Sequence, residues 1–205
     1  MEQDMEMLMH MDKALLSLIM GLTGYLLGSV MFAYLLPKTM SNVDVRKYGD
    51  GNPGAYNVHL CSSMPLAFFC AGLDILKGFL PVFIAYTFLG LTGWQLFLPM
   101  VGPVLGHLFP GMLHFRGGKG ICTAFGVMMG LLPDKLYALM WAACILVLLP
   151  IVHDHRRLIL ISIAIFVPLC FLVVQSIELN MCVVSVAVLV LSRHLKETKE
   201  TAGKT

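Results

Sequence analysis

The chain has 205 residues, of which 58% are hydrophobic and only 13% charged, and its mean hydropathy is +0.83. A soluble globular domain carries about 45–50% apolar and about 25% charged residues, so this composition excludes an ordinary soluble domain. The same hydrophobicity excludes a disordered chain. The net charge is only +2, and no dense basic stripe with interleaved aromatic residues indicates a nucleic-acid partner. The composition therefore predicts an integral membrane protein built from helices.

Seven apolar segments predict an all-α, polytopic membrane helix bundle of about seven transmembrane helices. They cover residues 14–36, 65–89, 94–109, 121–132, 135–152, 158–175 and 180–195. A helix needs about 20 residues to cross the hydrocarbon core, so the third and fourth segments are short. Pro99, Pro103 and Pro110 are expected to interrupt the third segment. We divide the chain into an extracytoplasmic segment (1–13), a membrane domain (14–195) and a cytoplasmic tail (196–205).

The distribution of lysine and arginine between the loops predicts the orientation. With the N-terminus outside, eleven of the fourteen cations lie on the cytoplasmic side and two, Lys13 and Lys135, on the outer side. This positive-inside bias predicts an N-out, C-in topology. Residues 1–13 hold four acidic side chains and one lysine, whereas a signal peptide begins with basic residues. We therefore interpret the first apolar run as a transmembrane helix of the mature protein.

Cysteine and glycine spacing both favour structural roles. The six cysteines form no C-x-x-C pair and lie mostly within apolar runs, so we expect small buried hydrophobes rather than a disulfide framework or a metal site. Glycines recur four residues apart within the apolar segments, a spacing that lets helix backbones approach closely in lipid. The pairs are Gly24 and Gly28, Gly102 and Gly106, and Gly126 and Gly130.

The first polar segment on the cytoplasmic side is residues 44–57, the 44–57 loop. Gly51, Asn52, Pro53 and Gly54 form an unbroken run of turn-forming residues. Such a loop can present several backbone N–H groups to an anion, and Arg46 adds positive charge beside it. The alternative is an ordinary cytoplasmic loop with solvated charges.

The second polar segment consists of residues 106–110, which include His107, followed by residues 115–120, the 115–120 loop. Three glycines surround Lys119 in this loop, just before an apolar helix. Backbone N–H groups and the helix N-terminus would face an anion there, with Lys119 as a point charge. The alternative is a tight turn with a snorkelling lysine. The segment is not a P-loop, because Gly120 stands where that motif requires Ser or Thr.

Two further polar features stand at or within the apolar segments. Arg193 and His194 end the last segment on the same predicted side as the two loops, where a membrane anchor or a helix-dipole contact is the alternative to a site. Asp74 and Lys77 lie three residues apart in the second segment, where we expect an intrahelical ion pair. A transporter would carry more pairable polar residues near the middle of its spans, and because only Asp74 and Lys77 qualify, that function is disfavoured.

Taken together, the polar segments resemble one family, the bacterial acyl-phosphate-dependent glycerol-3-phosphate acyltransferases. The resemblance runs from residue 24 to residue 194 in consistent order. Its motifs are Leu27-Gly28-Ser29, Asp44-x-Arg46, Gly49-x-Gly51-Asn52-x-Gly54-Ala55-x-Asn57, Asp74-x-x-Lys77-Gly78, Gly106-His107-x-Phe109-Pro110, Phe115-x-Gly117-Gly118-Lys119-Gly120 with Thr123-Ala124, and Arg193-His194.

The resemblance implies acyl transfer from an acyl phosphate to the 1-hydroxyl of glycerol 3-phosphate, giving 1-acyl-glycerol 3-phosphate (lysophosphatidic acid). It implies a multi-pass protein of the bacterial inner membrane, in contact with membrane lipids, whose active site faces the cytoplasm. No cofactor and no metal are implied, and an acyl-phosphate synthase is a candidate partner. His194 and Lys119 would be catalytic, and the residues expected to bind substrate or phosphate are Ser29, Arg46, Gly51, Asn52, Gly54, Asn57, His107, Gly117, Gly118, Gly120 and Arg193.

Four positions depart from the family pattern. Asp50, Tyr56 and Leu60 stand where the family has Ser, Thr and Arg, and Glu197 replaces an Asn. A carboxylate near a phosphate dianion is repulsive, by about 1–4 kcal/mol at 4 Å for dielectric constants between 80 and 20. These changes keep a second function open: a non-catalytic, divergent paralogue that binds a lipid or phosphate ligand, or a partner membrane protein.

Overall fold

The computed structural model describes the backbone of residues 2–132 and 136–202 and the side chains of residues 12–132 and 136–195. The side chain of Glu197, like most of the predicted terminal segments, lies outside the described residues. Within the described ranges the chain forms nine α-helices joined by turns and by loops that contain short 3-10 helices, without a strand. They are α1 (Glu2–Ser29), α2 (Phe32–Ser41), α3 (Ala55–Cys61), α4 (Met64–Phe83), α5 (Phe97–Leu108), α6 (Ile121–Met129), α7 (Tyr137–Leu148), α8 (His155–Val173) and α9 (Ile177–Ala202).

The all-α prediction is confirmed, and each predicted apolar segment coincides with one helix or one helix pair. Within the described residues, five helical stretches are long and apolar enough to cross a membrane: Asp12–Ser41, Met64–Phe88, Gly93–Leu113, His155–Val173 and Ile177–Leu195. The other two segments form α6 and α7, which have 9 and 12 residues and are shorter than a full span. The count of seven spans and the N-out, C-in orientation stay predictions.

The first apolar segment is interrupted at residues 30–31 instead of forming one helix, and an ion pair lies beside the break. Lys77 on α4 donates a hydrogen bond to the carbonyl of Val30 at 2.8 Å. Its ammonium also lies 2.8 Å from Asp74 Oδ1, so the predicted ion pair is confirmed. A carbonyl freed at a helix end needs a donor in an apolar environment, and Lys77 supplies it. The pair thus stabilises the turn between α1 and α2.

Helices α1 and α5 pack so closely that only glycine fits at several crossing points. A Cβ on Gly28 would lie 2.1 Å from the carbonyl oxygen of Pro103, and one on Gly106 would lie 2.1 Å from that of Tyr25. The predicted role of the glycine pairs in close helix packing is therefore confirmed for these helices. The expectation that Pro103 interrupts the third segment is wrong, because α5 continues through it. Gly24 leaves room for the proline ring.

The remaining helices complete the bundle with an apolar interior and an apolar outer face. Gly126 of α6 approaches the carbonyl of Ile75 on α4 in the same way, since an added Cβ would lie 2.0 Å from that oxygen. Large apolar side chains are exposed on the outside, as a bilayer-facing surface requires. They include Leu15, Leu22, Leu26, Phe68, Leu146 and Leu172.

Candidate active site

The three polar segments predicted to lie on one side of the membrane meet around a single cavity of about 710 Å³. Four cationic side chains and two carboxylates line it, and they come from parts of the sequence up to 149 residues apart. The lining residues are Asp44, Arg46, Asp50, Gly51, Asn52, Pro53, Arg116, Gly117, Gly118, Lys119 and Arg193. The excess of cations makes this cavity suited to an anionic ligand.

Arg46 is held at the start of the 44–57 loop by a fork of hydrogen bonds to Asp44. Its Nε and Nη2 donate to the two carboxylate oxygens at 2.9 and 2.7 Å, and its guanidinium lies 4.7 Å from the ring centroid of Tyr34. The Arg46 hydrogen bonds lower the pKa of Asp44 to about 2, against the opposing effect of burial. The guanidinium has five N–H donors, so this pairing orients it and leaves donors for a ligand.

Asp50 lies at the centre of the hydrogen bonds that shape the 44–57 loop. Its Oδ1 accepts from the backbone N–H of Asn52 at 3.0 Å and from Nδ2 of Asn57 at 2.9 Å. Asn57 also donates to the carbonyl of Asn52 at 2.8 Å and is itself buried. Gly49 has a positive φ of 53°, and a Cβ there would lie 2.3 Å from Asn57 Oδ1, so the tight turn requires glycine.

The 115–120 loop lies on the C-terminal end of α5. The backbone N–H groups of Gly117 and Gly118 donate to the carbonyls of Leu108 and His107 at 3.1 and 3.0 Å. These two N–H groups are thus used inside the protein and position the loop. This differs from the expected cradle, in which they would face an anion. A Cβ on Gly118 would lie 2.1 Å from Nε2 of His107, so His107 lies directly beneath the loop.

Lys119 reaches across the cavity to the 44–57 loop. Its Nζ lies 2.7 Å from Oδ2 of Asp50, and the two side chains are 25% and 30% exposed. Burial alone would raise the pKa of Asp50, but the hydrogen bonds from Lys119, Asn52 and Asn57 and the charge of Lys119 together lower it. The sequence suggested that Asp50 repels a ligand. The structure adds that Asp50 engages the lysine expected to bind that ligand.

Arg193, on α9, connects its helix to the other two elements. Its Nη2 donates to the carbonyls of Leu108 and, at 3.3 Å, Phe115, and its guanidinium lies 4.5 Å from the ring centroid of Phe109. Arg193 therefore fixes the end of α5 and the start of the 115–120 loop against α9, while part of it faces the cavity.

Several residues expected in the site do not line the cavity. Asn57 and His107 are buried behind its wall, and His194 is only 2% exposed, with Nδ1 2.9 Å from the carbonyl of Val190. The hydroxyl of Ser29 donates to the carbonyl of Tyr25 within α1. The others outside the lining are Gly54, Tyr56, Leu60 and Gly120. Asn57 and His107 support the site from outside the cavity through their contacts with the two loops. A direct catalytic role for His194 stays a prediction.

Sequence reasoning also missed contributors to the cavity. Arg116 lines the cavity, although the sequence singled it out only as part of the 115–120 loop. Its position next to Gly117 was the feature that could have indicated this. Asp44 lines the cavity as the partner of Arg46.

In the part of the chain that the structure describes, no three His, Cys, Asp or Glu side chains are grouped so that they could hold a metal ion.

Comparison with known proteins agrees with this geometry. The sequence profile of the family described as Glycerol-3-phosphate acyltransferase matches residues 18–203. The glycerol-3-phosphate acyltransferase of Cupriavidus pinatubonensis is 35% identical over 184 residues, covering 87% of this chain and 89% of the relative. That of Thermotoga petrophila is 45% identical over 104 residues, so the chain matches about half of that relative's length, with 51% and 53% of the two chains covered.

Solved structures give the same result for the whole bundle. The glycerol 3-phosphate form of PlsY (YgiH), an integral membrane glycerol 3-phosphate acyltransferase, superimposes with a TM-score of 0.81 at 28% identity and covers 92% of both chains. The lysophosphatidic acid form of PlsY superimposes with a TM-score of 0.77 at 26% identity over the same share. The chain is therefore a multi-pass membrane protein that belongs to the glycerol-3-phosphate acyltransferase family.

Proposed function

We propose that the protein transfers an acyl group from an acyl phosphate to the 1-hydroxyl of glycerol 3-phosphate, giving 1-acyl-glycerol 3-phosphate and phosphate. The observation that carries the proposal is the cavity in which Arg46, Arg116, Lys119 and Arg193 meet at one end of an apolar bundle. Both substrates carry phosphate, which these cations can bind, and the acyl chain needs the apolar surface beside them.

The reaction requires no covalent intermediate on the protein. An acyl phosphate is a mixed anhydride, so the acceptor hydroxyl oxygen can form the new ester bond directly with the acyl carbon. The bond from that carbon to the phosphate oxygen then breaks, and its electron pair leaves with the phosphate. Cations fixed around the cavity would stabilise the charge on the departing phosphate and align the two substrates.

The hydroxyl proton needs an acceptor, and we assign it to an oxygen of a substrate phosphate. His194 is the protein group expected from the sequence to take it, but its buried imidazole does not line the cavity. A general base must come within hydrogen-bond reach of the proton, directly or through one water. A phosphate bound by Lys119 or Arg46 meets this condition.

Lys119→Ala tests the phosphate-binding role. Loss of one charge-assisted hydrogen bond, about 1.5–3 kcal/mol, predicts roughly 10- to 150-fold weaker substrate binding. The assay is phosphate release from palmitoyl phosphate by the reconstituted protein, with and without glycerol 3-phosphate. Lys38→Ala is the matched control, because Lys38 is bonded to Asn42 away from the cavity. Unchanged turnover in Lys119→Ala would contradict the assignment.

The location of the site in the cell is also a proposal. We infer an inner-membrane protein with N-out, C-in topology and a cytoplasmic active site, supported by the eleven-to-two distribution of cations. A reporter that is active only in the cytoplasm should therefore be active when it is fused after Thr205. A periplasmic signal would refute the topology. A cytoplasmic site would also be open to an acyl-phosphate synthase supplying the activated donor.

Ligand binding without turnover is the second candidate function, and the ion pair between Lys119 and Asp50 favours it. A lysine engaged by an internal carboxylate is less available to stabilise the charge on a departing phosphate, whereas Arg46, Arg116 and Arg193 remain in the cavity to bind an anion. The phosphate-release assay separates the two functions. Release that depends on glycerol 3-phosphate supports the enzyme, whereas saturable phosphate binding without any release supports the binding protein.

A further inference from the structure

We infer that the carboxylate of Asp50 competes with the substrate phosphate for Lys119: it occupies the ammonium group that a phosphate would use, so an incoming phosphate must displace it from Lys119. The inference rests on the proposed function, since it concerns the same cavity. It makes Asp50 a specificity-determining residue that sets how strongly this protein binds a phosphate dianion.

The donors around Asp50 are of the types that hold phosphate in other sites. An ammonium group, Nζ of Lys119, donates at 2.7 Å, a backbone N–H, that of Asn52, at 3.0 Å, and a side-chain amide, that of Asn57, at 2.9 Å. Backbone N–H groups of glycine-rich turns together with a lysine are a recurrent arrangement for anions. The carboxylate is thus bound as a ligand anion would be.

The position of Asp50 makes this contact a competition within the cavity rather than a remote ion pair. Asp50, Asn52 and Lys119 all line the cavity. The carboxylate is fixed from the loop side by Asn57, which is buried, so it is already oriented toward Lys119 before any ligand arrives. A phosphate that approaches Lys119 therefore meets a negative charge held in place.

The contact joins the 44–57 loop to the 115–120 loop across 69 residues of sequence. Displacing Asp50 would therefore change the link between the two loops as well as release Lys119 from this carboxylate. Both effects follow from one substitution, so phosphate affinity and melting temperature are measured together: loss of the link alone would lower the melting temperature without raising the affinity. Asp50→Asn keeps a carbonyl oxygen for the Asn52 N–H but replaces the oxygen at Lys119 by an NH₂ group.

The test measures binding of inorganic phosphate to the reconstituted protein by equilibrium dialysis, without reference to turnover. We expect Asp50→Asn to bind phosphate about 5-fold more tightly than the native chain, because an ion pair whose side chains are only 25% and 30% exposed no longer has to be broken. Asp154→Asn is the matched control, since it removes the same charge at the exposed N-terminus of α8, outside the cavity. It should bind as the native chain does.

A double variant shows whether Lys119 is the group in competition. In Asp50→Asn/Lys119→Ala the gain in phosphate affinity over Lys119→Ala alone should fall below about 2-fold. A gain that persists would show general charge repulsion and would overturn the inference. Equal or weaker binding by Asp50→Asn would also overturn it, and weaker binding accompanied by a lower melting temperature would assign Asp50 to loop stability.

These outcomes also distinguish failure of this inference from failure of the proposed function. If the native chain turns over acyl phosphate and Asp50→Asn gains no affinity, only the competition is refuted. If no variant binds phosphate and none releases it from palmitoyl phosphate, the phosphate site is refuted, and the competition with it.

Discussion

Gly118 is a position where one added methyl group should disturb the site through a single identifiable contact. Its backbone lies against the imidazole of His107, and a Cβ there would lie 2.1 Å from Nε2. His107 has little room to yield, because it is only 4% exposed and its Nδ1 is 3.9 Å from Asp74 Oδ1 on the other side. The 115–120 loop, which is bonded to α5 mainly at one end, is therefore the part that moves.

The size of the displacement follows from the distances. Ordinary van der Waals contact begins near 3.4 Å, so the added carbon in Gly118→Ala has to move by about 1.3 Å. The shift passes to Lys119, the next residue. A misplacement of about 1 Å costs on the order of 100-fold in rate when a group must be aligned with a reacting centre. We expect the kcat/KM of Gly118→Ala to fall by roughly that factor.

The assay is again phosphate release from palmitoyl phosphate with glycerol 3-phosphate. Gly111→Ala is the control, since it lies just before the same loop and an added Cβ there meets no described atom within 4 Å. Adding His107→Ala to Gly118→Ala removes the clash and should recover part of the lost activity. Activity of Gly118→Ala within about 3-fold of the native chain would refute this account of how Lys119 is positioned.

Three further outcomes follow from the same geometry. Gly106→Ala should destabilise the bundle by about 1–3 kcal/mol. Gly72 is exposed in a helix, so Gly72→Ala should be neutral or stabilising by up to about 1 kcal/mol. Melting temperatures in detergent measure both effects. His194→Gln should lower kcat by less than about 10-fold, because the buried imidazole does not line the cavity. A loss of 100-fold or more would instead show that His194 is a general base. The ratio of KM between Asp50→Asn and the native chain should stay constant from about pH 7.5 to 8.5. The lowered pKa of Asp50 keeps it ionised there, and its effect would be lost only as the pH falls through that pKa. The second pKa of a phosphate ester is about 6, so the substrate is mainly a dianion over this range, and a ratio that changes within it would contradict this expectation. The charged groups that line the cavity with Asp50 are Asp44, Arg46, Arg116, Lys119 and Arg193.

The helices could be predicted because apolar runs report directly on burial in lipid. What could not be predicted depends on contacts between distant segments. The break at residues 30–31 is stabilised by Lys77, and the continuity of α5 through Pro103 depends on space left by Gly24. Neither partner is near in sequence, so local propensity gives no sign of either outcome.

The site could be predicted in outline for a different reason. Charge asymmetry between the loops placed the polar segments on one side, and proximity of the 44–57 and 115–120 loops follows from a compact bundle. Loop charges do not determine which individual side chain faces the cavity. Arg193 and His194 are neighbours on α9 and point in different directions, so the arginine lines the cavity and the imidazole is buried.

The substituted positions in and just after the 44–57 loop are not equivalent, although they are close together in the sequence. Asp50 lines the cavity, whereas Tyr56 is 58% exposed with its ring 6.2 Å from that of His155, and Leu60 is also exposed. Asp50→Ser alone should therefore lower the KM for glycerol 3-phosphate, because the other two side chains do not line the cavity. Its KM should lie within about 2-fold of that of the triple variant Asp50→Ser, Tyr56→Thr and Leu60→Arg. Tyr56→Thr by itself should leave KM unchanged. If the triple variant exceeded Asp50→Ser by about 10-fold, the arginine at position 60 would have to contact the phosphate, and the cavity would extend further along α3 than its present lining.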